Sequence, residues 1–202
     1  MAFELKEGLI KDLSSEMYHS IPNVFSSSQV KDGLVSQELF YDKYISKVIE
    51  RESIPAFDIG TYFHTAILEP EKLESECAVY MGKRIGKNWE DFKAKNAGKA
   101  IITESEYADA MNLVRAVQAS PVAMGRLSRG EPEVSGFLKL RVFQREIYAI
   151  TWGKVLGKYG WEDAKVPAKG FDLWVKVRAD LLADSFVLDL KSTQGDAKDA
   201  DE

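Results

Sequence analysis

The pattern of apolar residues changes once, near Gly130, and this change most limits the folds that the chain can adopt. Before it, apolar residues recur at the three- and four-residue spacing of amphipathic helices, as in the run from Leu39 to Ile49. After it, β-branched, aromatic and aliphatic residues are broken by short polar turns, which is typical of strands. Helices followed by strands predict an α+β fold, in which N-terminal helices pack on a central, mixed and mostly antiparallel sheet.

Two helices are predicted before the middle of the chain. Serines at residues 26–28 offer N-caps for a first helix, which ends near Ser53. A second helix is expected over residues 58–68, where Gly60 and His64 lie one turn apart on the same face.

Further signals predict a third helix and a hairpin. Thr103 and Glu106 form a capping-box signature that opens a long helix, and Pro121 ends it. Two strands are expected at residues 173–182 and 185–190, joined by a tight turn of two residues.

Length and composition limit the setting in which the chain works. With 202 residues and 45% hydrophobic content, one compact domain over residues 1–202 is expected. The single cysteine, Cys77, cannot form an internal disulfide, and the charged N-terminal segment differs from a signal peptide, so we expect a cytoplasmic protein. Apolar runs are far shorter than the roughly 20 residues that cross a bilayer, which excludes a membrane function.

Three charged residues near the end of the chain indicate a metal site. Asp180 lies near the end of the first predicted strand, while Asp189 and Lys191 share one face of the next. In a hairpin Asp180 comes beside Asp189, and two carboxylates with an adjacent ammonium suit Mg²⁺ or Mn²⁺, which bridge phosphate oxygens. The chemistry indicated is phosphodiester hydrolysis. The alternative is that the D-x-K triplet of residues 189–191, a pattern that is common by chance, is only solvated charge on an edge strand.

A net charge of −5 argues against coating of nucleic acid by bulk positive potential, but it leaves room for a local basic groove. Residues 81–99 are locally basic and include Trp89. The side chains predicted to contact DNA phosphates there are Lys83, Arg84, Lys87, Lys93 and Lys95. The alternative is a solvated helix face that keeps the protein soluble.

Three motifs resemble those of known nucleases. The segment Gly60–His64 matches a helical GxxxH motif, residues 66–70 match A-x-L-E-P, and residues 133–137 match an E-x-S-x-F strand. Together with the D-x-K triplet at Asp189, they resemble the PD-(D/E)xK nucleases, specifically the RecB-like branch and its phage and bacterial exodeoxyribonuclease VIII (RecE-type) group. The resemblance covers most of the chain.

The resemblance implies roles for individual residues. It makes His64, Asp180, Asp189 and the backbone carbonyl of Leu190 metal ligands, and Glu133, Asp180, Asp189 and Lys191 catalytic residues. Without the motif around it, a lone histidine at helical spacing is more often a satisfied interior group. Imidazole binds metal in its neutral form, so we expect acid to weaken metal binding.

The resemblance further implies a Mg²⁺- or Mn²⁺-dependent exonuclease that resects linear duplex DNA from 5′ to 3′ for recombination in bacteria or phage-infected cells. The partners it implies are double-stranded DNA ends, other copies of the chain in a ring, and a single-strand annealing recombinase. A non-catalytic DNA-binding or decoy relative is the main rival. A zinc hydrolase is excluded because His19, His64 and Cys77 show no zinc-site spacing.

Two features depart from the family pattern. Residues 139–170 are longer than the usual connection and are expected to form an added hairpin or substrate loop, whose aromatic residues either stack on unpaired bases or pack a core. We assign Trp174 to the core and leave Trp161 unassigned. The chain ends at Glu202 before the Q-x-x-x-Y helix of this branch, which predicts a fragment, a short relative, or a partner that supplies the helix.

Overall fold

The computed structural model describes residues 4–49 and 55–191, which form two compact units. Unit 1 comprises residues 1–51 and 133–179, and unit 2 comprises residues 52–132 and 180–202. The predicted helix end near Ser53 and the chain end, where the family helix was expected to be missing, lie outside the described residues. The single domain remains a prediction.

Strands follow Gly130 as predicted, but within the described residues four short strands also lie among the helices that precede it. The helices are α1 (Ser15–Ser20), α2 (Ser27–Val35), α3 (Gln37–Phe40), α4 (Pro55–Leu68), α5 (Leu73–Glu76), α6 (Lys87–Lys95), α7 (Glu104–Gln118) and α8 (Pro121–Leu127). The strands are β1 (Gly8–Ile10), β2 (Val24–Phe25), β3 (Cys77–Tyr80), β4 (Ala100–Thr103), β5 (Glu131–Phe143), β6 (Glu146–Ala149), β7 (Lys154–Gly157), β8 (Gly160–Asp163), β9 (Phe171–Leu182) and β10 (Val187–Leu188). A π-helical turn (Tyr41–Ile45) follows α3, and a 3-10 turn (Pro70–Lys72) precedes α5.

Unit 1 is built on a mixed, mostly antiparallel sheet with the strand order β9-β5-β6-β7-β8. Strand β1 pairs antiparallel with β5, and β2 pairs parallel with β9. Strands β5 to β8 form an antiparallel meander that includes residues 139–163. The α+β prediction is confirmed, whereas the description of residues 139–170 as an added segment remains a prediction.

The core of unit 1 joins α1 to the sheet. Tyr18 of α1 is buried against Ile21, Val24 and Phe137, and Trp174 packs on this cluster. The assignment of Trp174 to the core is therefore confirmed.

The first predicted helix is divided in the structure. Ser26 and Gln29 form a capping box at the start of α2, as the serine pattern indicated. The helix ends at Ser36, whose backbone is extended and whose hydroxyl accepts a hydrogen bond from Leu39 N and so caps α3. One predicted helix thus becomes two short helices, because Ser36 bonds to the backbone that follows it instead of continuing α2.

Unit 2 packs α4 against β4 and α7. Its core contains Tyr62, Cys77, Ile102 and Ala110, and the parallel strands β3 and β4 form a small second sheet. The capping box at the start of α7 is present, since the Glu106 carboxylate accepts a hydrogen bond from the Thr103 backbone N–H at 2.7 Å. The second and third predicted helices are confirmed.

The hairpin near the end of the chain is present but has a longer turn than predicted. Val187 pairs with Leu182, and Ala183 N donates a hydrogen bond to the carbonyl of Phe186 at 3.0 Å. The strand predicted over residues 185–190 is shorter in the structure, where β10 spans Val187–Leu188. The turn takes up four residues, so the first paired residue after it is Val187. None of the helices within the described ranges is long and apolar enough to cross a bilayer.

Candidate functional site

The β9–β10 register brings two of the predicted carboxylates together. Leu188 pairs with Leu181, so the next positions along the hairpin, Asp189 and Asp180, face each other. Each carboxyl group shifts the pKa of the other, and the backbone N–H of Leu190 donates to Asp180 Oδ2 at 2.6 Å. The convergence of the two acids that the sequence indicated is therefore present within unit 2.

His64 lies beside this pair. It follows the buried residues Tyr62 and Phe63 on α4, which packs on β4 and α7 within unit 2. Its Nδ1 atom is 3.6 Å from Asp180 Oδ2, and its side chain is 30% exposed. His64 is thus at the edge of the unit 2 core, where its imidazole reaches a carboxylate and solvent.

The two carboxyl groups have different electrostatic environments. Burial raises the pKa of Asp180, and the neighbouring Asp189 raises it further. The pKa of Asp189 is lowered, chiefly because Lys191 Nζ donates to its Oδ2 at 2.8 Å. Two neighbouring carboxyl groups favour a shared proton or a bound cation.

The donor set fits a hard divalent cation. Suitable ligand atoms of His64 and Asp180 lie within 4.8 Å of one another. Carboxylate oxygens with one imidazole nitrogen match the preferences of Mg²⁺ and Mn²⁺, and thiolates are absent from this group of side chains. The predicted carbonyl ligand at Leu190 remains a prediction, although its N–H already orients Asp180.

Lys191 lies at the protein surface beside Asp189. Its side chain is 78% exposed, and its ammonium group contacts Asp189. An exposed ammonium beside a carboxylate can orient a water molecule or a phosphate oxygen that enters from solvent.

Glu133 begins the second segment of unit 1 and lies on β5. Its φ angle is +50°, a backbone conformation that is uncommon for residues other than glycine. Its Oε2 atom is 3.4 Å from Arg178 Nη1. A strained backbone held by a charged partner is frequent at functional sites, but the catalytic role of Glu133 remains a prediction.

Arg178 was not identified by the sequence analysis. Its Nε donates to Ser135 Oγ at 3.0 Å, and another guanidinium nitrogen donates to the carbonyl of Leu13. The signal in the sequence was the alternation of charged and apolar residues along β9. In the structure, Lys176 is only 7% exposed and Val177 is 64% exposed. This strand points its charged side chains inward, the reverse of an ordinary amphipathic strand.

The basic segment contains both fixed and exposed cations. Arg84 donates to both carboxylate oxygens of Glu106, at 2.9 and 2.8 Å, and to the carbonyl of Ile101 at 2.7 Å. Lys93 pairs with the exposed Glu90. The side chains of Lys83, Lys87 and Lys95 are exposed. DNA contact by this segment remains a prediction.

Comparison with known protein families agrees with a site built around the D-x-K triplet of residues 189–191. A family model described as "PDDEXK-like domain of unknown function (DUF3799)" matches residues 26–201. The chain belongs to this family. PDDEXK-like domains are of the nuclease type and usually use divalent metals, which agrees with the donor set around Asp180. No curated protein and no solved structure matches the chain.

Proposed function

We propose that this PDDEXK-like protein is a Mg²⁺-dependent deoxyribonuclease that hydrolyses phosphodiester bonds of linear duplex DNA. The observation that carries the proposal is the convergence of His64 and Asp180 with the Asp189–Lys191 pair within unit 2. Acidic oxygens and an imidazole can bind a divalent cation, and an accessible ammonium can stabilise charge on a phosphate.

The residues have distinct parts in this reaction. A bound divalent cation would stabilise the charge that develops on the scissile phosphate and activate water. His64, Asp180 and Asp189 would hold that cation, with the N–H of Leu190 fixing the Asp180 carboxylate. Lys191 would orient the attacking water or stabilise the phosphate oxygens, since its ammonium is both accessible and held by Asp189.

The finer proposal is an exonuclease of the RecE type that resects duplex ends from 5′ to 3′ for recombination. Its proposed partners are DNA ends, further copies of the chain in a ring, and a single-strand annealing recombinase, in the cytoplasm of a bacterium or a phage-infected cell. These proposals are supported by the family motifs at Gly60–His64 and residues 66–70.

Substrate topology tests the proposed activity. With Mg²⁺, we expect degradation of linear duplex DNA, with a 5′ label released before a 3′ label, while closed circular DNA stays intact. Chelation of the metal should stop the reaction, and a nicked circle separates initiation at nicks from initiation at ends. Cleavage of closed circles as fast as linear DNA would contradict an exonuclease, and intact DNA in every arm would contradict a nuclease.

Exposed lysines of α6 are proposed to contact phosphates. Replacing Lys87, Lys93 and Lys95 by glutamine should weaken DNA binding and reduce the slope of log K against log [salt] by about 1 to 3, since each phosphate contact contributes roughly 0.9. A control variant with Lys6, Lys11 and Lys31 replaced by glutamine removes the same charge from unit 1. Equal slopes for the two variants would show that α6 is ordinary surface.

A further inference from the structure

A cavity of 310 Å³ lies within unit 2, apart from the candidate metal ligands. The start of α4, the residues just before α6, α6 itself and the segment that leads into β4 contribute its lining, which includes Asp58, Arg84, Trp89, Lys93, Gly98 and Lys99. The volume is at the lower end of the range for small-molecule sites, about 300–1,000 Å³. The proposed nuclease chemistry uses none of these six residues except Arg84 and Lys93, as expected phosphate contacts.

The charges around the cavity favour an anion. Arg84, Lys93 and Lys99 line it, with Asp58 as the acid among the six. The ion pair of Lys93 with Glu90 has both side chains more than half exposed, and such pairs are weak and easily exchanged. Lys99 Nζ donates to a backbone carbonyl at 2.7 Å, so its charge is not neutralised by that contact.

Trp89 gives the cavity an aromatic wall. Its ring packs on Tyr80, with centroids 5.2 Å apart, and the Arg84 guanidinium carbon is 5.8 Å from the Trp89 centroid. Arg84 is itself fixed by Glu106, so the wall is held in place by contacts within unit 2. A fixed aromatic ring beside cations is the arrangement on which unpaired bases stack.

Asp58 adds a polar group to the same cavity. It is half-buried at the start of α4, and burial raises the pKa of its carboxyl group, against the lowering effect of Arg84 and of the Ile101 backbone. A carboxyl group in this position can hydrogen-bond the polar edge of a base. At Gly98, φ is +86° and a Cβ atom would meet nothing within 4 Å, so the loop leaves space for a ligand.

We propose that this cavity binds one unpaired nucleotide, with its base against Trp89 and its phosphate on Lys93 and Lys99. The inference extends the proposed nuclease function and rests on it, because the DNA substrate of the nuclease would supply the unpaired nucleotide. Asp58 and His64 are six residues apart on α4, about 9 Å along its axis at 1.5 Å per residue. That axial length corresponds to two to three stacked nucleotides at roughly 3.4 Å each, so a strand with its scissile bond at His64 needs at least that many nucleotides to reach the cavity.

Binding of deoxyadenosine monophosphate to the metal-free protein tests the cavity directly. We expect saturable binding in a chelator, at least about tenfold tighter than binding of deoxyadenosine or inorganic phosphate alone, because stacking and charge contribute together. Binding of a single-stranded tetradeoxyadenylate shows whether the cavity takes a nucleotide of a DNA strand or a free mononucleotide. Tighter binding of the oligonucleotide identifies a DNA strand as the occupant, and equal binding identifies the free mononucleotide.

Two variants probe the two parts of the site. Trp89→Ala should weaken binding of the monophosphate by at least about tenfold, while Trp89→Phe keeps most of it, because a phenyl ring still stacks. Lys93→Gln with Lys99→Gln should weaken monophosphate binding similarly without changing deoxyadenosine binding. Lys93 is exposed and Lys99 is half-buried, so their replacement should not disturb the fold. The double lysine variant therefore still tests the site if Trp89→Ala unfolds α6. Replacing Lys6 and Lys31 by glutamine is the charge-matched control and should change nothing.

The outcomes separate this inference from the nuclease proposal. If Trp89→Ala and the double lysine variant bind the monophosphate as the unchanged protein does, the cavity is not a nucleotide site, whatever the nuclease assay shows. If no DNA is cleaved but the monophosphate binds and depends on Trp89, the nuclease proposal fails and the nucleotide site stands. Inorganic phosphate binding as tightly as the monophosphate would also overturn the site, since the base would then contribute nothing.

Discussion

Asp189→Asn is expected to reduce DNA cleavage by about 10³-fold or more, because loss of a metal-binding carboxylate removes several kcal/mol of transition-state stabilisation. The fold should survive, since the Asp189 side chain is 61% exposed and packs no core. Initial rates on linear duplex DNA and thermal melting of the apo protein measure the two effects.

The same hairpin supplies the control for this substitution. Asp184 lies in the exposed turn between β9 and β10, so Asp184→Asn removes an equal charge nearby without touching the pair at Asp180. It should keep near-normal cleavage. A folded Asp189→Asn protein that cleaves as fast as the Asp184→Asn control would remove Asp189 from the catalytic site.

Replacement of His64 by alanine is expected to weaken Mn²⁺ binding by at least about tenfold, because metal sites lose this much even when a supporting contact is removed. The loss follows from the 3.6 Å separation of His64 Nδ1 and Asp180 Oδ2. The apo protein should melt at nearly the same temperature, since the half-buried imidazole contributes little packing. Calorimetric titration with Mn²⁺ and thermal melts in a chelator measure the two quantities.

His19→Ala is the matched control, because His19 lies on α1 in unit 1 and is the only other histidine of the sequence. It should bind Mn²⁺ normally. The assignment of His64 as a ligand fails if His64→Ala binds Mn²⁺ like the control but melts at a strongly lowered temperature, which is the behaviour of a core histidine.

Features carried by local sequence could be predicted. The capping box at Thr103 and Glu106 depends on residues three positions apart, so the sequence indicates it directly. The approach of Asp180 to Asp189 follows from strand alternation and a short connection, and a turn two residues longer than expected still preserves it.

Features that depend on contacts between distant segments could not be predicted. Arg84 and Glu106 are 22 positions apart, and their pairing exists because the residues just before α6 and the start of α7 meet in unit 2. The basic pattern alone grouped Arg84 with the exposed lysines. The inward charges of β9 at Lys176 and Arg178 likewise required knowledge of Tyr18, whose backbone carbonyl and ring receive them.

Helix α6 differs from α4 and α7 in having no buried residue, although it carries Trp89 and forms the connection between the parallel strands β3 and β4. Stability within a domain is uneven, and elements with little buried apolar surface open most readily. Helix α6 is therefore, like α5 and α8, an element of unit 2 that can open locally without global unfolding, and Trp89 is held there by its contacts with Tyr80 and Arg84. Substitutions in α6 are therefore expected to alter the cavity at little cost to the fold around the fully buried Ile102.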